Sequence, residues 1–143
     1  MAAMKENGVP LSVLIADDSR EVRERLAALL GEVPGVSIVA ETEDVEGSLE
    51  GVRRLRPAVV VLDINMPGGS GLDVLRRMTE ERMRAVVIVL TSFALPEYER
   101  EARAHGATAF LDKSKEFMKV ADLVRTLSNQ IRCPGAAVVE QSA

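Results

Sequence analysis

Cysteine and tryptophan are almost missing from this chain of 143 residues, which has one Cys and no Trp. A lone Cys133 excludes an intrachain disulfide and a zinc site built from cysteines. Set beside Pro134 and Gly135, its thiol reads as incidental. There is no excess of positive charge: 18 Lys and Arg stand against 22 Asp and Glu, for a formal charge of -4. That balance argues against direct nucleic-acid binding, which calls for a basic stripe. Long apolar runs are lacking too. Stretches such as Ala85–Leu90 are far too short to cross a bilayer, so no membrane span is expected. The opening MAAMKENGVP has neither the basic start nor the apolar stretch of a secretion signal, and a cytoplasmic location is expected. No GxxxxGK[ST] run occurs, which argues against a nucleotide hydrolase.

What remains is a chain 47% apolar and only 3% aromatic, with a core to be filled by Val, Leu, Ile, Ala and Met. Its length suits one domain. Short β-branched runs at Val13–Ala16, Val36–Ala40, Ala58–Leu62, Ala85–Leu90 and Ala107–Leu111 read as strands. The third and fourth are apolar almost throughout, as central strands covered on both faces should be. Helical periodicity fills Ser19–Leu30, Val45–Leu55, Gly71–Arg82 and Pro96–Ala104, with a last segment near Lys115–Ile131. In the first of these, Val22, Leu26, Leu29 and Leu30 form one stripe while Arg and Glu take the other face. Ser19 suits an N-cap, Pro96 a first helical turn, and Gly106 a C-cap. Five alternating pairs predict an α/β fold, a flavodoxin-like doubly wound parallel sheet of order 2-1-3-4-5 with five helices. Residues 11–131 form the expected domain, 1–10 a loose lead-in and 132–143 a frayed tail.

In such a sheet, ligands bind beyond the carboxyl ends of the strands. There the pattern places Asp17–Asp18 after the first strand, Asp63 after the third, Thr91 at the end of the fourth and Lys113 after the fifth. Two carboxylates about 5 Å apart repel by roughly 3 kcal/mol at an effective dielectric near 20. A hard divalent cation such as Mg²⁺, which prefers oxygen ligands, relieves that repulsion. One carboxylate is then a potential nucleophile towards phosphorus, with the Lys113 ammonium and the Thr91 hydroxyl available to phosphoryl oxygens. Taken singly, each residue has a plainer reading: turn former, strand-end hydroxyl or solvated charge. Their joint order at successive strand ends makes the chemical reading the stronger one.

The runs LIADDS (14–19), VVVLDINMPGGSGLDVL (59–75), VIVLTS (87–92) and GATAFLDKS (106–114) resemble the receiver domains of two-component response regulators. With the spacing between them, the resemblance covers Leu11 to Ile131 and is closest in form to a stand-alone, chemotaxis-type receiver. It implies that Asp63 accepts a phosphoryl group from a phosphohistidine on a sensor histidine kinase or phosphotransfer protein. It implies Asp18 and Asp63 as direct Mg²⁺ ligands, Asp17 as a ligand through water, and the main-chain carbonyl of Asn65 as another ligand. Thr91 and Lys113 match the residues that hold the phosphoryl oxygens, and Thr91 with Phe110 the switch pair. Two positions depart from the common pattern: Phe110 where Tyr is frequent, and Ser114 where many relatives have a cis Pro. A non-proline cis bond costs about 3–4 kcal/mol, so a trans bond is expected at Lys113–Ser114.

By the same resemblance, phosphorylation shifts a face built of the fourth helix, fifth strand and fifth helix towards a downstream protein target, and this face also allows a homodimer. No enzyme activity is expected beyond self-phosphorylation and autodephosphorylation. Phe93, two residues past Thr91, is expected to hinder water at the acyl phosphate. His105 reads as a surface residue rather than a relay histidine. Two alternatives stand beside this reading: the receiver part of a DNA-binding regulator whose output domain is absent, and an interaction domain that works without phosphorylation. An aspartyl-phosphate phosphatase needs a second acid two residues after its Asp, and here that position is Asn65.

Overall fold

The structure is a computed structural model and describes residues 10–132. The expected lead-in and tail therefore lie outside the described residues except for Pro10 and Arg132, and so does Cys133.

Seven strands and five helices follow one another as β1 (Leu11–Ala16), α1 (Arg20–Gly31), β2 (Val36–Thr42), α2 (Val45–Leu55), β3 (Val59–Leu62), β4 (Asn65–Met66), β5 (Gly69–Ser70), α3 (Gly71–Glu80), β6 (Val86–Thr91), α4 (Pro96–Ala104), β7 (Ala109–Asp112) and α5 (Lys119–Arg132). Five of the strands form one parallel sheet in the order β2-β1-β3-β6-β7. Counted within that sheet, the order is the expected 2-1-3-4-5. Alternate side chains feed two separate cores, as a strand period of two requires. Leu14, Val60, Leu62, Val87 and Val89 pack with α2, α3 and α4. Val13, Ile15, Val59, Val61, Ile88 and Leu90 pack with α1 and α5. β3 is buried throughout, whereas the edge strand β2 has no fully buried residue and is exposed at Val39 and Glu41.

Helix ends follow local chemistry. The Ser19 hydroxyl accepts from the Val22 N–H, the Asp44 carboxylate from the Gly47 N–H, and Ser70 with Asp73 forms a capping box. Pro96 opens α4 without a side-chain cap. Gly106, at φ +98, follows the His105 cap of that helix.

Strand β1 starts two residues earlier than expected and β2 runs two residues further; three other boundaries shift for a local reason. Helix α3 stops at Glu80, two residues early, and Arg82 lies in the left-handed region at φ 59. Strand β7 begins at Ala109 because the Ala107 N–H still closes the end of α4 on the Ala102 carbonyl. Helix α5 begins at Lys119 because the residues before it are held by Asp112. That carboxylate accepts from the Ser114 and Lys115 N–H groups and the Ser114 hydroxyl, while Glu116 takes the Asp112 N–H.

The small antiparallel pair β4–β5 was not anticipated. Asn65 faces Ser70 and Met66 faces Gly69 across a Pro67–Gly68 turn, where Gly68 supplies φ +90. All peptide bonds among the described residues are trans, including Lys113–Ser114 as expected.

Candidate functional site

The backbone ladders of the sheet run one residue beyond the strands and carry the site residues with them. The Asp17 N–H donates to the Thr42 carbonyl at 2.9 Å, the Asp63 N–H to the Ala16 carbonyl at 2.9 Å, and the Lys113 N–H to the Thr91 carbonyl at 2.8 Å. Asp17, Asp63, Thr91 and Lys113 are thus set at one edge by main-chain hydrogen bonds, before any side-chain contact is considered.

The side chains converge as well. Asp17, Asp18 and Asp63 each present a carboxylate oxygen within 4.8 Å of the others. Lys113 Nζ donates to Asp17 Oδ2 at 2.8 Å and to Asp63 Oδ2 at 3.3 Å. Asp17 and Asp63 are buried at 2% and 4% exposure, whereas Asp18 is exposed. Asp17 Oδ1 accepts the Ser19 N–H at 2.8 Å, so both of its side-chain oxygens are occupied. Asp63 Oδ1 receives only a long contact from the Asn65 N–H, at 3.4 Å. The Asp18 carboxylate has no hydrogen-bond partner among the described residues. The free acceptor capacity therefore sits on Asp18 and Asp63, the two carboxylates expected to touch a metal directly.

Burial out of water, and then the charge of Asp17, push the Asp63 carboxyl above the ordinary carboxylate range. The charge of Lys113, the Asn65 N–H and the Lys113 hydrogen bond oppose this only in part. For Lys113, burial alone would lower the ammonium. The hydrogen bond from Lys113 to Asp17 and the charges of Asp63 and Asp17 more than reverse that, and the group is raised. The site thus holds a firmly charged cation beside a carboxylate that resists ionisation.

Thr91 is fully buried, and its Oγ1 accepts the Phe93 N–H at 3.0 Å. That contact uses an acceptor lone pair and leaves the hydroxyl proton to be donated elsewhere. Phe110 pairs in register with Val89, so Thr91 and Phe110 lie on the same face of adjacent strands, two residues apart along the ladder. Phe110 is buried in the core beneath α2, α3 and α4. The Asn65 side chain is exposed, so it is the main chain at this position that adjoins Asp63. Phe93 stands half exposed at 50%. His105 is half-buried at the foot of α4, at the opposite end of the strands.

Two supporting residues escaped the sequence reading. Gly71, placed there at the head of the third helical segment, sits so close to Asp63 that a β-carbon would collide with the Asp63 carbonyl oxygen. Its own N–H bonds the Ile64 carbonyl at 2.7 Å. Arg23, assigned there to the polar face of α1, instead turns inward and donates to the Asp17 carbonyl at 2.8 Å. A glycine eight residues past the key Asp is a usable signal for the first. Nothing in the helical pattern marks the second.

The family model of the response regulator receiver domain matches residues 13–125. The chain belongs to that family. Among relatives, the protein-glutamate methylesterase/protein-glutamine glutaminase 1 of Syntrophus aciditrophicus is 34% identical over 124 residues, which covers 82% of this chain and 35% of that protein. The signal receiver domain of NarL from Mycobacterium tuberculosis superposes with a TM-score of 0.78 at 25% identity, covering 85% of this chain and 98% of that one. A chain of the CheX–CheY–BeF₃–Mg²⁺ complex from Borrelia burgdorferi gives 0.72 at 25% identity, covering 84% and 93%. This receiver chain spans about a third to three-fifths of the length of curated relatives it matches (35%, 58% and 49%).

Receiver domains are signalling modules of two-component phosphorelays, generally without enzyme activity of their own, and exchange signals with histidine kinases or phosphotransfer proteins. They bind Mg²⁺ at an acidic pocket, and here Asp17, Asp18 and Asp63 form an acidic cluster able to hold a metal ion. The donor set fits Mg²⁺: hard carboxylate oxygens from three residues, one exposed to admit water ligands, and no sulfur or imidazole. No helix among the described residues is long and apolar enough to cross a membrane.

Proposed function

We propose that this receiver, the unit spanning residues 11–131, takes a phosphoryl group on Asp63 from a partner phosphohistidine and passes the signal to a protein target. The observation that carries this reading is the buried cluster itself. Asp63 lies with Asp17 and Asp18 inside one 4.8 Å group and is bridged to Asp17 by the Lys113 ammonium.

In the transfer, an Asp63 carboxylate oxygen forms the new O–P bond while the P–N bond of the donor breaks. The electron pair returns to the imidazole nitrogen, which then takes a proton. Lys113 reaches Asp63 Oδ2, so it stands where it also neutralises a phosphoryl oxygen on that carboxylate. The Thr91 hydroxyl, with its proton uncommitted, donates to another. Asp18 and Asp63, with Asp17 through water and the Asn65 carbonyl, would hold Mg²⁺, which supplies charge neutralisation for the incoming phosphoryl oxygens. The neighbouring complex from Borrelia burgdorferi holds both BeF₃ and Mg²⁺, which supports the pairing of cation and acidic site.

The Thr91/Phe110 pair is the element that the new charge biases. Phosphorylation adds charge and strong acceptors at the sheet edge, and a Thr91 drawn towards them changes the packing beside Phe110. The readout surface is then α4, β7 and α5, a face that also allows a homodimer.

Intact mass after incubation with acetyl phosphate and Mg²⁺, beside Asp63→Asn, tests the proposal. One base-labile phosphoryl addition in the wild type alone is expected. No addition, once Mg²⁺ binding has been confirmed, would point to a domain that signals without phosphorylation.

A further inference from the structure

Every polar group of Asp17 is committed. Its N–H meets the Thr42 carbonyl, Oδ1 the Ser19 N–H, Oδ2 the Lys113 ammonium, and its carbonyl the Arg23 guanidinium. Arg23 in turn places Nε 3.6 Å from Glu41 Oε1, and its side chain is only 14% exposed. Its neighbour on α1, Arg20, makes a solvated pair with Glu24 at 83% and 62% exposure.

Glu41 reaches Arg23 because of an irregularity in β2. Leu11, Ser12 and Val13 pair with Val36, Ser37 and Ile38, but Leu14, Ile15 and Ala16 pair with Ala40, Glu41 and Thr42. Val39 is the extra residue, and a single-residue slip moves every later side chain to the other face. With the slip, Glu41 shares a face with Ile15, which packs with α1 and α5. Without it, Glu41 would pair with Ala16 and point into the layer of α2 and α3, away from Arg23.

We propose that Arg23 and Glu41 act as a positioning clamp on the acid pair, setting its affinity for a divalent cation. The Asp17 carbonyl belongs to the planar peptide that joins Asp17 to Asp18, so holding that oxygen orients the start of Asp18. This matters for Asp18 because its exposed carboxylate has no hydrogen bond from the described residues to direct it. The clamp deepens the proposed metal site and rests on that reading. An opposite effect competes with it, since the positive charge of Arg23 near the site disfavours a second cation through space. The two effects predict opposite signs when Arg23 is removed.

The test is Mn²⁺ titration of the full chain by electron paramagnetic resonance, with Mg²⁺ competition, on wild type, Arg23→Ala, Arg23→Lys and Glu41→Gln. Arg23→Ala is expected to weaken Mn²⁺ binding roughly tenfold, equivalent to one strong hydrogen bond in an affinity. Arg23→Lys, whose ammonium still reaches a carbonyl, restores most of the loss. Glu41→Gln weakens binding by a smaller factor, about threefold. Saturating Mg²⁺ brings phosphorylation of Arg23→Ala by acetyl phosphate back to the wild-type level, which a general folding defect would not allow. Unchanged or tighter Mn²⁺ binding by Arg23→Ala would overturn the clamp. If that variant fails to fold, wild-type affinity in Glu41→Gln overturns it instead. A wild type that binds no Mn²⁺ would remove the metal-site reading itself, and the clamp with it.

Discussion

Gly71 faces the carbonyl oxygen of Asp63 so closely that no β-carbon fits between them. The contact joins the first residue of α3 to the candidate phosphoacceptor, and the Gly71 N–H bonds the adjacent Ile64 carbonyl. A methyl group at 71 must displace backbone rather than a flexible side-chain tip. Gly71→Ala is therefore expected to cost at least about 2 kcal/mol. It should also lower phosphorylation more than the stability loss explains, because the displaced backbone belongs to Asp63. Urea unfolding together with mass-detected phosphorylation checks both parts. Wild-type values in both would show that the loop yields freely.

Asp63 has its carboxyl raised by burial and by Asp17. A carboxyl raised in the folded state favours folding while it is protonated, and that contribution is lost as pH climbs through its folded value. At neutral pH the ionised group therefore opposes folding. Asp63→Asn keeps the shape and removes the charge, so its melting temperature at pH 7 is expected to exceed the wild type by about 2–4 °C, corresponding to roughly 1 kcal/mol. The gap should close as pH falls below the ordinary carboxylate range, where Asp63 is protonated in both states. A variant no more stable than wild type at pH 7 would mean that Lys113 fully offsets the burial of Asp63.

Lys113 spans the two buried acids, with 16% side-chain exposure against 3% and 5% for its partners. Lys113→Ala leaves two near-buried carboxylates facing each other without a cation. A loss of about 3 kcal/mol at pH 7 is expected, in the range for breaking one side of a buried pair. The deficit should shrink in acid as the carboxylates take protons. Millimolar Mg²⁺ should restore part of it at neutral pH, because a bound cation takes over the compensating charge. Thermal melts with Mg²⁺ and with EDTA measure this. A deficit that ignores both pH and Mg²⁺ would place the role of Lys113 in packing instead.

The sheet order and the four strand-end groups were legible because a parallel strand that is apolar on both faces leaves a plain mark. Val59–Leu62 and Val86–Thr91 could hardly be read otherwise, and Asp63 and Thr91 stand at their ends. Arg23 was legible only as one cation among the charges of α1. Its inward turn answers the Asp17 carbonyl, and its reach to Glu41 depends on the slip at Val39, a property of strand pairing that local periodicity does not encode. The start of α5 was misplaced for a related reason. Lys115–Met118 are acceptable helix formers, but the Asp112 carboxylate captures the Ser114 and Lys115 N–H groups and holds a turn there. Pro67 and Gly68 suit a turn, and only the pairing of Asn65 with Ser70 makes it a hairpin.

Phe93 joins two features that bear on how long a phosphoryl group survives. Its N–H holds the Thr91 hydroxyl oxygen, and its ring stands half exposed at the same sheet edge. The N–H bond comes from the backbone and survives truncation of the side chain, so Phe93→Ala separates the two. If the ring screens the acyl phosphate from water, the variant should be phosphorylated as readily as wild type yet lose the group faster. A threefold faster decay corresponds to about 0.7 kcal/mol in the hydrolysis barrier, a reasonable effect for one screening ring. Decay is followed by intact mass after removal of acetyl phosphate, with Mg²⁺ held constant. A slower decay would mean that the ring helps to place the attacking water. An unchanged rate would mean that the ring lies clear of the water's approach and that the lifetime is set by Thr91 and Lys113.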